Sequence, residues 1–484
     1  GGQQCGGKRA GNILLQSASQ KGRYSVSYQA IINAKIVLPD RICEGSVIYD
    51  DQEGKICRIC ESGSEEEKRL LPENQIDARG AWAVPGGIDP HVHLGGFGTI
   101  PIMDDFYTGS LGALAGGTTT VIDFCEPVKG ESAVHCMERR FRDAEQSAVD
   151  YAFHYVLTEE WRRQMCELDE ICSEGIGSFK LFTVYENTTL NMDDMEHIFK
   201  EILRRYPGVP VPFLIHAEDA GIIDERRKCA ERLPDRMSDM SLLAWTRPAE
   251  AETETVRKIS ALVEAYKVPV CIAHASAGGT VRIAGQPGNS LWLETCPHYL
   301  EFTEEMLKGE DGALYTMTPP LRKEADREEL WKGILSGRIR IFSTDHCPYS
   351  YKDKKEAAWE SVPCGVDGIQ TRMLYLFSEG VLKRGLSMRD YVRLTSENAA
   401  RFYGMYPRKG RIAPGSDADI VLISEDGGTE ITSRNRKSGI NYTIYEGKKL
   451  TGRICLTVKS GRTVYRDGKL TAAGGTGNYI RTDS

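Results

Sequence analysis

Apolar residues fall along this chain in two rhythms. From Tyr24 to Val84, and again after residue 410, they come as short alternating runs broken by turns: SYQAIINAKIVL, GSVIYDD and GKICRIC near the start, GRIAPGSDADIVLIS and GRICLTVKSGRTVYRDGKL near the end. Alternation sends every second side chain to one face, so these runs predict half-buried β-strands. Between Pro85 and Met405 the rhythm changes. Compact apolar runs recur at AVPGGIDPHVH, TTTVIDFCE (118–126), DYAFHYVLT (150–158), GSFKLFTVY (177–185), VPFLIHAE (211–218), VPVCIAHAS (268–276), SLWLETCPHYL (290–300) and RIRIFSTDHCP (338–348). Helical stretches separate most of them, such as 131–148, 192–206 and 248–266. Strands alternating with helices predict a parallel sheet, and eight such units over roughly 300 residues fit a closed (β/α)8 barrel.

The expected organisation is therefore an α/β barrel over 85–405, with a smaller composite β-sandwich domain drawn from both ends of the chain, 23–84 and 406–471. The terminal β-segments share a composition, and packing them together covers strand edges. Residues 1–22, rich in Gly, Gln, Ser and Lys, are expected to be a disordered N-terminal segment, and the Gly/Thr-rich stretch 472–484 a flexible tail.

Composition sharpens this picture by exclusion. The chain has 484 residues, 40% hydrophobic and 27% charged, with a mean hydropathy of −0.37, ordinary for a globular protein. A net charge of −8 argues against nucleic-acid or anionic-membrane partners, which need a basic face. No apolar run reaches the ~18–20 residues of a membrane span. The first 22 residues lack the apolar centre of a secretory signal. The 14 cysteines are scattered and unframed, so free thiols in a reducing cytoplasm are expected. Cys57 and Cys60 have C-x-x-C spacing, but positions three apart in a strand face opposite sides, and both read as small buried apolar residues.

Function in a barrel of this kind sits at the carboxyl ends of the strands. There the sequence places His91 and His93 on the first strand, Lys180 within the fourth, His216 at the end of the fifth, His274 at the end of the sixth and Asp345 at the end of the eighth. Four of the nine histidines thus fall at three strand ends. Imidazole and carboxylate both suit divalent zinc, and four His with one Asp can hold two ions. Two dications repel and need a bridging anion. Lys180 as an ammonium cannot serve. Buried beside cations it is driven toward its neutral amine, which can add carbon dioxide to become a carbamate with two oxygens and one negative charge.

These residues lie in an ordered series of blocks: GGIDPHVHL, DDFYTGSLGALAGGTTTVIDF (104–124), GSFKLFTVY, HAED, AHAS, TPPLR (318–322), STDHCPY, GVDGIQTRM (365–373) and SENAARFYGMYPRKGRIAPGSDADIVL (396–422). The series resembles the cyclic amidohydrolases, most closely the dihydropyrimidinase and D-hydantoinase branch, over nearly the whole chain after residue 24. The resemblance implies a TIM-like barrel with a composite β-sandwich and two zinc ions. It implies His91, His93 and Asp345 as ligands of one metal, His216 and His274 as ligands of the other, and Lys180 as the N6-carboxylysine bridge. It implies Asp345 as general base and Tyr185 as the group that polarises the substrate carbonyl. Substrate contacts are implied near Thr318 and Asp367, partly through backbone. The implied reaction opens a dihydropyrimidine or 5-substituted hydantoin ring to an N-carbamoyl amino acid, in a cytoplasmic homotetramer or homodimer. Leu94-Gly95 after His93 argues against dihydroorotase-like relatives, which carry an Arg soon after H-x-H. The ETCPHYL segment (294–300) with His298 looks more like allantoinase-type relatives, so an allantoinase-like ureide hydrolase is the alternative. A non-catalytic, assembly-forming homologue would lack metal ligands, and all six positions are present here.

Overall fold

The computed structural model describes residues 28–96, 101–232, 240–285 and 290–482. The segment expected to be disordered, 1–22, lies outside the described residues. Five strands come first: β1 (Tyr28–Val37), β2 (Ile42–Asp50), β3 (Lys55–Glu61), β4 (Asn74–Asp77) and β5 (Trp82–Pro85). Eight follow: β6 (Gly87–Asp89), β7 (Thr118–Cys125), β8 (Asp150–Val156), β9 (Phe179–Phe182), β10 (Phe213–His216), β11 (Val270–Ile272), β12 (Trp292–Thr295) and β13 (Ile341–Phe342). Four more end the set: β14 (Ile420–Glu430), β15 (Lys449–Lys459), β16 (Arg462–Arg466) and β17 (Lys469–Leu470).

β6 to β13 form one eight-stranded sheet in sequence order, parallel at every pairing. Every residue of β7 and β8 is buried. Burial on both faces is what makes barrel strands read as continuous apolar runs. The barrel is closed beyond the ends of β6 and β13. His93 N–H donates to the His346 carbonyl at 2.9 Å, and the Asp89 carboxylate accepts from Thr344 N–H at 3.1 Å and from its hydroxyl at 2.6 Å. Two glycines let the first strand enter: a Cβ on Gly86 would lie 2.2 Å from Thr119 Oγ1, and one on Gly87 2.5 Å from Met373 Sδ.

The connecting helices are built to lie on this wall. In Met192–Arg205 the Asn191 side chain accepts from Asp194 N–H, acids fill the first turn, and Arg204 and Arg205 fill the last, each matched to the helix dipole. Its buried face is Met195, Ile198, Phe199 and Ile202, an i, i+3, i+4, i+7 stripe. One expectation changes at β12. The apolar run 290–300 predicts strand throughout, but the strand stops at Thr295 and Pro297 opens a short helix, Pro297–Glu301. A proline has no N–H for a ladder and suits a first helical turn.

The terminal strands make a separate nine-stranded mixed sheet, ordered β17-β16-β15-β14-β5-β1-β2-β3 with β4 beside β1. Ile31, Val47, Tyr49 and Ile56 from one end share a core with Ile420, Leu422, Leu456 and Val458 from the other, so neither end could bury its face alone. This sheet meets the barrel on the side where strands begin. The buried Lys409 ammonium sits 2.5 Å from Asp150 Oδ2 at the start of β8 and 2.6 Å from Asp419 Oδ2 just before β14. The tail expected to be flexible from 472 is instead docked as far as Thr482. Asn478 N–H donates to Asp150 at 2.9 Å, Ile480 N–H to the Tyr151 carbonyl at 2.7 Å and Thr482 N–H to Gly175 O at 2.8 Å. Ile480 is 2% exposed, an apolar anchor inside a polar stretch. Cys57 is half-buried and Cys60 buried, and both are free thiols.

Candidate metal centre and active site

The barrel brings the predicted residues to one end. His91 and His93 stand just past β6, Lys180 within β9, His216 at the last position of β10, His274 just past β11 and Asp345 just past β13. All five nitrogen donors are buried, and the Asp345 side chain is 13% exposed. Asp345 Oδ1 lies 3.2 Å from His91 Nε2 and 3.1 Å from His93 Nε2. His216 Nδ1 lies 3.0 Å from His274 Nε2. Ligand atoms of His91, His274 and Asp345 all fall within 4.8 Å of one another. Lys180 Nζ is buried without a hydrogen-bond partner, over the Phe124 and Phe182 rings at 5.3 and 5.0 Å. His274 Nδ1 is likewise unpaired. Buried polar atoms rarely stay unsatisfied, so this arrangement suits an occupant that supplies positive charge and accepts these donors.

Electrostatics agree. Burial alone would raise the Asp345 pKa, but His91, His93 and His274 around it hold the carboxyl well below its usual range. Burial pushes the Lys180 ammonium down to about 8 and His216 down to about 4. Three site residues carry left-handed backbone, Tyr185 at φ 82°, His274 at 37° and Asp345 at 49°. For non-glycine residues each such conformation costs on the order of 1–3 kcal/mol.

These groups open into a cavity of about 290 Å³ whose wall also includes Glu126, Tyr185, Thr318 and Cys364. The Tyr185 hydroxyl is 2.6 Å from Thr318 Oγ1, so two of the three expected substrate residues share one wall. Asp367 does not line this cavity. Its carboxylate accepts from Thr443 Oγ1 at 2.7 Å and from Ile444 N–H at 3.2 Å. Cys364, three residues earlier, takes the place expected for it. His298 is also outside the cavity wall. It is fully buried with both ring nitrogens unpaired, and burial brings its pKa down to about 4.

A family model described as the amidohydrolase family matches residues 82–464. The chain belongs to the amidohydrolase family. It is 33% identical to D-phenylhydantoinase of Escherichia coli (strain K12) over 455 residues, 91% of this chain and 97% of that relative. A crystal structure of D-hydantoinase superposes with a TM-score of 0.87 at 30% identity, covering 94% of this chain and 99% of the other. The dihydropyrimidinase from Brevibacillus agri NCHU1002 gives the same TM-score, identity and coverage.

Around the inner groups this amidohydrolase places charged residues that position at a strand end does not reveal. Glu294, on β12, binds His91 Nδ1 and accepts from His274 N–H at 3.2 Å. That fixes the His91 tautomer so that Nε2 faces the centre. Its signal was a lone carboxylate inside an apolar run. Glu218 accepts from His216 Nε2 at 2.7 Å and is gripped by Arg247 Nη2 at 2.5 Å. The opposing pull of burial is outweighed by Arg247 and His216, and the Glu218 carboxyl stays well below its ordinary pKa. Arg247 Nη2 also reaches the Tyr185 hydroxyl at 3.4 Å. His346 holds the turn after Asp345, accepting from Gly368 N–H at 3.1 Å and donating to Asp104 at 2.9 Å. Lys354 donates to the carbonyls of Leu314, Thr316 and Gly365 at 3.3, 2.8 and 2.7 Å, tying together the two segments that carry Thr318 and Cys364.

Proposed function

We propose that this amidohydrolase opens the cyclic amide bond of hydantoins or dihydropyrimidines to give N-carbamoyl amino acids, using two zinc ions. The observation that carries the reading is the convergence of His91, His93, His216, His274 and Asp345 around an unpartnered Lys180 Nζ, inside a cavity walled by Tyr185 and Thr318. The ring class is supported by the names of the hydantoinase and dihydropyrimidinase relatives.

His91, His93 and Asp345 would hold one ion, His216 and His274 the other. Lys180 would bridge them once its neutral amine has added carbon dioxide, forming an N–C bond and losing a proton. When bound, such ions supply Lewis acidity and make water acidic enough to attack near neutral pH. Asp345, kept ionised by the surrounding histidines, takes the proton of the attacking water and delivers it to the ring nitrogen as the C–N bond breaks. The Tyr185 hydroxyl donates to the carbonyl oxygen as negative charge develops there. Desolvation of the hydroxyl inside the cavity holds the phenol's pKa above its ordinary value and keeps it protonated, although the residue is 39% exposed. Thr318, 2.6 Å away, orients it. The centre belongs to a chain whose described cysteines are all free thiols, which fits a reducing cytoplasm. Among the described residues no helix is long and apolar enough to cross a membrane. A homotetramer is the expected assembly, checked by mass in solution.

The test is a substrate panel of dihydrouracil, 5-substituted hydantoins and allantoin, on protein purified without chelator and supplied with zinc. Opening of the first two classes with about two zinc per chain is expected. Less than one zinc per chain with no ring opened would overturn the reading. Lys180→Ala should lose the paired metals and the activity, with partial rescue by short carboxylic acids. Unchanged metal content in that variant refutes the carbamate.

A further inference from the structure

The inner cavity does not end at Tyr185. Glu126, Glu186 and Thr188 form part of its wall and also part of the wall of a second cavity of about 480 Å³. The two spaces therefore meet at a shared boundary, the neck, that holds two carboxylates. Glu126 follows β7 directly. Its main-chain carbonyl accepts from Arg139 Nη2 at 2.9 Å, while no hydrogen bond or ion pair from its side chain is present among the described residues. Burial raises the Glu126 pKa against the pull of Arg140, Lys180 and Arg139, and the two arginines are paired with other acids. Arg139 pairs with Glu131 at 2.9 Å, and Arg140 with Asp123 at 2.9 Å and Asp143 at 2.8 Å. Glu186 has no side-chain partner among the described residues either. In the outer cavity Glu159 and Glu160 add further acid, against Lys129 and Arg139.

The cavity wall that carries Tyr185 and Asp345 continues to Glu126 and Glu186, so a substituent on a ring whose reacting carbonyl faces Tyr185 can reach the neck. Glu126 is half-buried and Glu186 exposed; a half-buried carboxylate without donors is costly, and a ligand that supplies N–H groups relieves that cost. A ligand that brings another carboxylate adds repulsion in a site of reduced dielectric. We propose that Glu126 and Glu186 make the neck donor-selective: the preferred substrates are cyclic ureides or imides whose ring substituent ends in an amine, guanidine or ureide, and substituents ending in a carboxylate are rejected. This rests on the cyclic-amide reading above and names the substrate class within it.

The experiment compares kcat/KM for hydantoins carrying propyl, 3-aminopropyl, 3-ureidopropyl and 2-carboxyethyl groups at the ring carbon, on the zinc-loaded enzyme and on Glu126→Gln and Glu126→Leu. The amino and ureido compounds should exceed the carboxyethyl compound by at least about 30-fold in the wild type, from attraction in one case and repulsion in the other. Glu126→Gln should shrink the aminopropyl-to-carboxyethyl ratio by about tenfold, mainly through KM, and Glu126→Leu should shift preference toward propyl. Ratios between substrates on one enzyme are insensitive to partial unfolding or metal loss, which scale all four rates together. Ratios unchanged in both variants, or a wild type that opens the carboxyethyl compound as well as the aminopropyl one, would overturn the neck while leaving ring opening intact. If none of the four rings opens, and dihydrouracil and allantoin do not either, the cyclic-amide reading fails and the neck with it.

Discussion

Arg247 is the residue at which stability and activity can be separated most cleanly. Its guanidinium is 3% exposed and contacts Glu218 through Nε at 3.1 and 3.2 Å and through Nη2 at 2.5 Å. The same Nη2 reaches the Tyr185 hydroxyl at 3.4 Å. Glu218 in turn holds His216. Arg247→Met keeps the stem and removes the charge, stranding a fully buried carboxylate. Breaking a buried pair in this way costs about 3–5 kcal/mol. At about 2.1 cal/mol/K per residue, the unfolding entropy of 484 residues is near 1 kcal/mol/K, so the thermal midpoint should fall by about 3–5 °C. The activity effect has a different origin. A hydrogen bond from a charged donor contributes about 1.5–3 kcal/mol at good geometry. At 3.4 Å about half of that, roughly 0.75–1.5 kcal/mol, is expected, which makes a loss of about four- to twelvefold in kcat.

The assay is a double-mutant cycle on kcat, with Arg247→Met, Tyr185→Phe and the pair, alongside melting curves for all four proteins. The Tyr185→Phe variant has no hydroxyl to orient, so in that background Arg247→Met should lower the midpoint as before but leave kcat nearly unchanged. The coupling should be about 1 kcal/mol or more. Arg247→Lys should recover part of the stability and little of the coupling, because an ammonium cannot grip Glu218 and reach Tyr185 with one planar fork. The same loss in the Tyr185→Phe background would refute the argument that Arg247 acts through the hydroxyl.

Two further outcomes follow from buried groups that are not themselves metal ligands. His154 holds the turn before His91, with Nε2 donating to the Pro90 carbonyl at 3.0 Å and Nδ1 accepting from Ser178 Oγ at 2.6 Å, and burial brings its pKa down to about 3 from 6.5. A histidine whose folded pKa is depressed binds its proton more readily in the unfolded chain, so its share of stability is intact above pH 6.5 and drains away as pH falls toward 3. That share is about 4–5 kcal/mol at most; in metal-free protein His154→Gln should flatten the acid limb of urea stability between those limits, and a limb identical to wild type would contradict it. Lys354→Met unties three carbonyls in the segments bearing Thr318 and Cys364, and should raise KM about tenfold with kcat less affected, as expected when loss of positioning weakens binding uniformly. An unchanged KM would show that those segments hold their shape without it.

The barrel was legible because its strands are covered on both faces and so stand out as compact apolar runs, and the inner groups because histidine is rare here, nine in 484 residues. A histidine at the end of an apolar run is therefore conspicuous. The surrounding charges had no such contrast. With 61 Lys and Arg and 69 Asp and Glu, the burial of any particular one is invisible to local pattern. Their partners are also remote: Glu294 meets His91 across 203 positions, Arg247 meets Tyr185 across 62. The docked tail failed for a related reason, since two apolar residues, Tyr479 and Ile480, outweigh a polar stretch only when a groove exists to receive them. Asp367 enters through the family resemblance of the GVDG segment, and nothing in that segment indicates that Thr443 and Ile444 take up its carboxylate.

The left-handed residues explain why the outer charges are needed at all. Tyr185, His274 and Asp345 sit in backbone conformations that relax unless the surroundings over-determine them. Each is held from outside its own segment or by the turn it closes. The Tyr185 carbonyl accepts from Thr188 and Thr189 N–H at 3.3 and 3.1 Å, His274 N–H is fixed on Glu294, and the residue after Asp345 is clamped between Gly368 and Asp104. Glu294 is doubly engaged, since the oxygen that fixes the strained backbone of His274 also sets the ring of His91. A shift at either residue therefore moves the other. The two halves of the centre, contributed by strands at opposite sides of the barrel, are coupled through one buried carboxylate before any ion enters. Preorganisation here is a property of the second ring of charges, and the inner histidines inherit it.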